Sequence, residues 1–138
     1  MRFSGSVVLV AGGTGGLGRA VSLALLQEDA RVVVTYRNEE EFIALRSAAA
    51  SNGSLLQGRR VDVTEEASVA QLVDGMLAEY GQLDAMVNTV GTYAGGVKFW
   101  DVNTKVFEQM LALNLRPGLL LSRAAIPAML KRGRSLFH

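Results

Sequence analysis

Residues 10–18 read Val-Ala-Gly-Gly-Thr-Gly-Gly-Leu-Gly, five glycines in the seven positions from Gly12 to Gly18. The stretch follows the continuous apolar run Ser6–Val10, the pattern of a strand buried on both faces. It precedes Leu17, Ala20, Val21, Ala24 and Leu25, whose spacing of three and four predicts an amphipathic helix. A strand, a glycine-rich turn and a helix in that order limit the chain to few folds. The tight turn needs glycine, a pyrophosphate reaches the backbone only where no Cβ intervenes, and the helix must pack closely on its strand. The N–H groups and dipole at the helix start then suit an anion.

The rest of the chain repeats the alternation. Arg31–Tyr36 is β-branched and strand-like. Asn38 with Glu41 three residues on resembles a capping box, with Gly53 placed to end the helix that follows. A third strand is expected at about Leu55–Val61. Val69, Leu72, Val73, Met76, Leu77 and Tyr80 mark a third helix, with Gly81 as its stop, and Leu83–Asn88 a fourth strand. A long helical segment runs from about Asn103 to Lys131, interrupted by Pro117, and Arg134–Phe137 reads as the start of a fifth strand. Strands alternating with helices predict an α/β fold, a Rossmann-type doubly wound parallel sheet in the order 3-2-1-4, with ligands at the carboxyl ends of the strands. No linker or internal repeat divides the sequence, so residues 1–138 are read as a single dinucleotide-binding domain.

Composition narrows the function. With 49% hydrophobic residues the chain can build a core, and a net charge of +1 offers no field for nucleic acid or an anionic membrane. The absence of cysteine excludes disulfides, thiolate metal sites and a cysteine nucleophile, and a single histidine at position 138 leaves little for a metal. No apolar run is long enough to span a bilayer, and the expected location is cytoplasmic.

The glycines fit three registers: Gly13, Gly15, Gly18; Gly12, Gly15, Gly18; and Gly12, Gly16, Gly18. The third, taken with Asp62-Val63 after strand three, Asn88-Thr89-Val90-Gly91 after strand four and Asn114 in the long helix, resembles the short-chain dehydrogenase/reductase family. Ala11 stands where the family has Thr, and Thr89-Val90 where it has Asn-Ala. The resemblance implies a Rossmann fold and a nicotinamide dinucleotide held by Gly12, Thr14, Gly15, Gly16, Leu17, Gly18, Arg37, Asp62, Val63, Asn88 and Gly91. It gives Asp62 the adenine amino group, which as a bare residue could equally cap the turn into helix three, and gives Asn114 support of a proton relay. Phe107, Leu111, Asn114, Gly118, Leu121 and Ala125 recur at three and four, which predicts that Asn114 faces inward.

Cofactor choice is read at the end of strand two. An acid about 20 residues after the glycines would bind the ribose 2′-hydroxyl of NAD; Thr35, Tyr36 and Arg37 stand there instead. Nothing repels a 2′-phosphate and Arg37 can pair with it, so NADP(H) is expected ahead of NAD. The family's catalytic Ser and Tyr-x-x-x-Lys are absent from these residues and are expected beyond His138. Tyr93 and Lys98 are five apart in a glycine-containing loop and read as a decoy. The chain is therefore expected to be an NADP-dependent oxidoreductase acting on a small carbonyl or alcohol, or its cofactor-binding half. The alternatives are an NADP-binding or sensing module without chemistry, and a structural protein that has lost the ligand. An incompletely covered sheet edge beside strand four predicts a homo-oligomer with Asn103–Lys131 in the contact.

Overall fold

The computed structural model describes residues 2–131 and 136–137. Its strands are β1 (Val7–Ala11), β2 (Arg31–Tyr36), β3 (Leu56–Arg60), β4 (Ala85–Asn88) and β5 (Leu136–Phe137). They pair in parallel in the order β3-β2-β1-β4-β5. Parallel neighbours need crossovers, and helices α1 (Gly16–Gln27), α2 (Glu39–Ala49) and α3 (Glu66–Tyr80) supply those between the first four strands. Helices α4 (Thr104–Asn114) and α5 (Arg116–Lys131) follow β4. Residues 134 and 135 of the expected fifth strand lie outside the described residues.

All five residues of β1 are buried because successive side chains enter different cores. Val8 and Val10 join Val32, Val34, Leu26, Phe42 and Leu45 under α1 and α2. Val7, Leu9 and Ala11 join Val69, Leu72, Met76, Leu121 and Met129 under α3 and α5. The continuous apolar run of the sequence is thus two interleaved stripes. α3 buries Val69, Leu72, Val73 and Met76 as its spacing predicts, and ends at Gly81, whose φ of +73° returns its N–H to the Leu77 carbonyl at 2.9 Å.

Two expectations are corrected. α1 fully buries Gly18, Ser22 and Leu26; of the expected stripe, Val21 and Leu25 pack partly buried against the core, whereas Leu17 is 68% exposed. The helix lies so close to the preceding turn that only small residues fit: a Cβ on Gly18 would stand 2.0 Å from the Gly12 carbonyl oxygen, and the Ser22 hydroxyl donates to the Gly13 carbonyl at 3.1 Å. α2 stops at Ala49, before Gly53. Its apolar stripe Phe42, Leu45, Ala49 is complete there, and Ala50 turns the chain with φ +49° into a 3-10 turn over Ala50–Leu55. The long helical segment is interrupted next to Pro117 as expected: the break falls at Leu115, Pro117 sits just inside α5, and α5 carries a second proline, Pro127.

At the amino ends of the strands Asp84, 4% exposed, accepts from the Val7 N–H at 2.8 Å and from Gln82 Nε2 at 2.7 Å. Its own N–H donates to the Val7 carbonyl at 2.9 Å, joining β1 to β4 below the first ladder pair. Asp84→Ala leaves the buried Val7 N–H without its carboxylate acceptor. It is expected to lower the urea unfolding free energy by about 1–3 kcal/mol, with an unchanged denaturant slope.

Candidate functional site

At the carboxyl ends of the strands lies a cleft of about 310 Å³. Gly12, Thr14 and Gly15 of the first turn line it, with Thr35, Tyr36 and Arg37 at the end of β2, Glu41 of α2, Val61–Thr64 after β3, Thr89–Gly91 after β4, and Leu113 of α4. Every strand-end segment that the sequence singled out on β1 to β4 contributes.

The five glycines divide by what their missing side chains make room for. Gly12 turns the chain with φ +73°, a conformation costly to other residues. Gly13 packs on β2, where a Cβ would come within 2.3 Å of Val34 Cγ1, and Gly18 packs on Gly12. These three serve the fold. A Cβ on Gly16 would meet nothing within 4 Å, and one on Gly15 only an ordinary contact at 3.6 Å. The protein's own packing makes no demand for glycine at these two positions, which lie where α1 begins. Gly15 is the N-cap of α1, no side chain caps the helix, and its first turn has no acid. Arg19 N–H already closes on the Gly15 carbonyl at 2.7 Å. Among the described residues the N–H groups of Gly16, Leu17 and Gly18 have no acceptor, as the start of a helix leaves them.

Hydroxyls hold the turn. Gly12 N–H donates to Thr35 Oγ1 at 2.9 Å, and Thr89 Oγ1 donates to the Ala11 carbonyl at 2.7 Å with the Gly12 carbonyl 3.1 Å away. Thr89, a departure from the family's usual Asn, therefore ties β4 to the glycine turn. Thr14 is buried in the cleft wall.

Asp62 lines the cleft and also caps the turn into α3, its Oδ1 accepting from the Thr64 N–H at 2.9 Å and the Thr64 hydroxyl at 2.6 Å. The Thr64 hydroxyl and then its N–H hold the Asp62 carboxyl below the usual carboxylate range; partial burial opposes them and the Arg37 guanidinium helps. The two readings of Asp62 are compatible, since no described hydrogen bond uses Oδ2. Arg116 Nε donates to the Thr64 carbonyl at 2.8 Å, fastening this turn to the start of α5. Among the described residues Arg37 has no ion pair.

Asn88 is not among the residues that line the cleft; its Oδ1 accepts from the Val90 N–H at 3.0 Å. At Gly91 a Cβ would fall 2.8 Å from Asn114 Oδ1. That oxygen accepts from the Thr92 N–H at 2.9 Å, while Asn114 Nδ2 donates to the Met110 carbonyl at 3.0 Å. Asn114 is exposed, not inward-facing: the break at Leu115 ends the regular spacing, and Phe107 and Leu111 before it are exposed too. Leu17 and Arg19 are exposed at the start of α1 and are not among the residues that line the cleft. Tyr93 and Lys98 lie in an irregular segment, the Tyr93 ring against Gly95 and Lys98 Nζ 5.4 Å from the Trp100 ring centre, with no helix between them.

Among the residues that sequence reasoning missed, Thr35, Thr89 and Glu41 matter most. A hydroxyl at the end of a buried strand was the available signal for the first two. Glu41 was read only through its spacing from Asn38. Asn38 Oδ1 does accept from the N–H groups of Glu40 and Glu41, at 2.9 and 3.4 Å, but no described bond returns from the Glu41 carboxylate. The expectation that nothing negative meets a ligand at the end of β2 is corrected accordingly: α2 turns Glu41 into the cleft lining.

The family model described as short chain dehydrogenase matches residues 6–136. A short chain dehydrogenase/reductase of Gibberella zeae, dpfgG, is 35% identical over 127 residues, which are 92% of this chain and 47% of that protein. The chain thus spans about half the length of the curated relatives it matches. A metagenomic short-chain oxidoreductase solved in complex with NADP is 29% identical with a TM-score of 0.90, covering 99% of this chain and 62% of that one. ElxO with NADP bound is 25% identical, also at 0.90, over 96% and 53%. No described helix is long and apolar enough to cross a membrane.

The glycine assignments separate by stability. Gly18→Ala is expected to cost about 1–3 kcal/mol through steric strain against backbone, whereas Gly16→Ala leaves the melting temperature unchanged or raises it, alanine being the better helix former. Thermal melts of the two variants side by side check this.

Proposed function

The chain belongs to the short chain dehydrogenase family, and from that premise we propose that residues 1–138 form one dinucleotide-binding unit of a cytoplasmic oxidoreductase that prefers NADP(H). The carrying observation is the pairing of two glycines that packing does not require with three N–H groups that lack acceptors, all at the start of α1. A pyrophosphate fits both features: it needs close backbone approach and accepts from N–H groups. The NADP-bound structures of similar proteins support the cofactor class.

On this reading each wall of the cleft has a part. Arg37 pairs with the 2′-phosphate; Asp62, kept ionised by Thr64, offers Oδ2 to the adenine amino group beside the buried Val63. Gly91 admits the nicotinamide ribose, while Asn88 and Asn114 fix the loop on either side of it. When bound, the nicotinamide supplies or accepts a hydride in the exchange between a carbonyl and an alcohol. That exchange also needs a placed acid, and no Tyr-x-x-x-Lys occurs among these 138 residues.

A homo-oligomer belongs to the proposal. Phe107 and Leu111 of α4, Leu115 at the break and Leu119 of α5 are all exposed, Leu115 at 66%. Exposed large apolar side chains close together in sequence are an interface candidate, and a two-fold dimer is the commonest closed solution for identical chains.

Titration calorimetry is expected to show NADPH binding more tightly than NADH, with Arg37→Ala costing NADPH about 1–3 kcal/mol and leaving NADH nearly unchanged. Equal affinities, or a preference for NADH, would remove the cofactor proposal. Light scattering is expected to give a dimer or a pair of dimers, reduced to monomers by Leu111→Asp with Leu115→Asp.

A further inference from the structure

We propose that Glu41 limits how strongly the cleft favours a 2′-phosphorylated dinucleotide, acting against Arg37 in the same cleft. The inference rests on the cofactor reading above and concerns the one acidic side chain that α2 contributes to the cleft lining. Glu39, Glu40 and Glu41 all belong to the first turn of α2, yet only Glu41 lines the cleft. The Asn38 cap fixes that turn, so the position of Glu41 relative to the end of β2 is set by hydrogen bonds to the Glu40 and Glu41 N–H groups.

Arg37 and Glu41 form no ion pair with each other or with any other described residue. Each is exposed and free to act on a ligand. The side-chain charges lining the cleft are therefore one positive, Arg37, and two negative, Glu41 and Asp62. Asp62 belongs to the turn after β3 and is bonded to Thr64, whereas Glu41 and Arg37 flank the Asn38 cap, next to the end of β2. A 2′-phosphate brings close to two negative charges. It gains from Arg37 and loses to Glu41, each through a water-exposed and salt-screened field. A 2′-hydroxyl carries no charge and is nearly indifferent to both. Glu41 thus acts selectively on the phosphorylated dinucleotide, as a specificity-determining residue.

The test is a fluorescence titration of NADPH and NADH against the 138-residue chain and its Glu41→Gln, Glu41→Lys and Glu39→Gln variants. Glu41→Gln is expected to tighten NADPH about three- to tenfold and to change NADH less than about twofold, a gain that shrinks at about 0.5 M salt. Glu41→Lys extends the gain, and Glu39→Gln, in the same helical turn but outside the cleft lining, leaves both affinities in place. Equal tightening by Glu39→Gln would reduce the effect to net charge and overturn the proposal. So would unchanged NADPH affinity in both Glu41 variants, or weakened NADH binding in Glu41→Gln, which would make the carboxylate an acceptor for a ribose hydroxyl. If wild type binds neither nucleotide, the cofactor reading and this proposal fall together; if it prefers NADPH and the Glu41 variants change nothing, this proposal alone falls.

Discussion

The contact between Gly18 and the Gly12 carbonyl sets the rest of the molecule. A Cβ at Gly18 would stand 2.0 Å from that oxygen, so α1 can start where it does only with hydrogen there. The consequence reaches down the helix: Ser22, one turn on, is small enough to touch the Gly13 carbonyl, and Leu26, one turn further, is the first large side chain that α1 buries completely. Had α1 used the stripe beginning at Leu17, a layer of leucine and valine would have held it away from β1. Its unpaired N–H groups would then sit further from the strand ends. Close packing is what places the helix start beside the cleft.

Three strands hold that contact in place. Thr35 of β2 takes the Gly12 N–H, Thr89 beyond β4 reaches the Ala11 carbonyl, and β1 lies between them. Both threonines satisfy backbone groups of a turn that has few ladder partners. The hydroxyls do this without adding charge, so the electrostatics of the cleft are left to Arg37, Glu41 and Asp62. Of these, Asp62 is the most constrained. Its carboxyl is held low mainly by the two Thr64 donors, with Arg37 a smaller influence, so it stays ionised whatever Arg37 does.

Most of the architecture was legible in the sequence because burial and periodicity carry it. β2 fell where the β-branched run Arg31–Tyr36 put it, and the buried face of α3 was read residue by residue. The strand order 3-2-1-4 follows from the glycine turn and the alternation together. Periodicity failed where another constraint outranked hydrophobicity. At α1 that constraint was close approach to backbone, which favours Gly and Ser over the more apolar neighbours. At Asn114 it was the break at Leu115, after which spacing counted through the helix no longer describes one face. At Glu41 the spacing suggested a capping box whose return bond from the carboxylate is not formed, and it gave no sign of the cleft. The registers of the glycines could not be told apart by pattern at all, since five glycines satisfy three spacings. Only the neighbours of each missing Cβ separate Gly12, Gly13 and Gly18 from Gly15 and Gly16.

The two ends of the sheet solve the same backbone problem in different ways. At the amino ends a buried carboxylate, Asp84, takes the Val7 N–H and a Gln82 amide, and Gln82 also reaches the Gly5 carbonyl. Polar groups there are closed upon each other, and the arrangement serves cohesion. At the carboxyl ends the hydroxyls of Thr35 and Thr89 satisfy Gly12 and Ala11, but no side chain caps α1. A serine or aspartate at position 15 would have taken one of those N–H groups and stabilised the helix by about 0.5–2 kcal/mol. Glycine forgoes that stabilisation and keeps the donors available to a ligand. The end that is less completely satisfied is also the end where the cleft opens. A ligand bearing its own acceptors supplies there what the chain omits, so binding and local stabilisation draw on the same N–H groups.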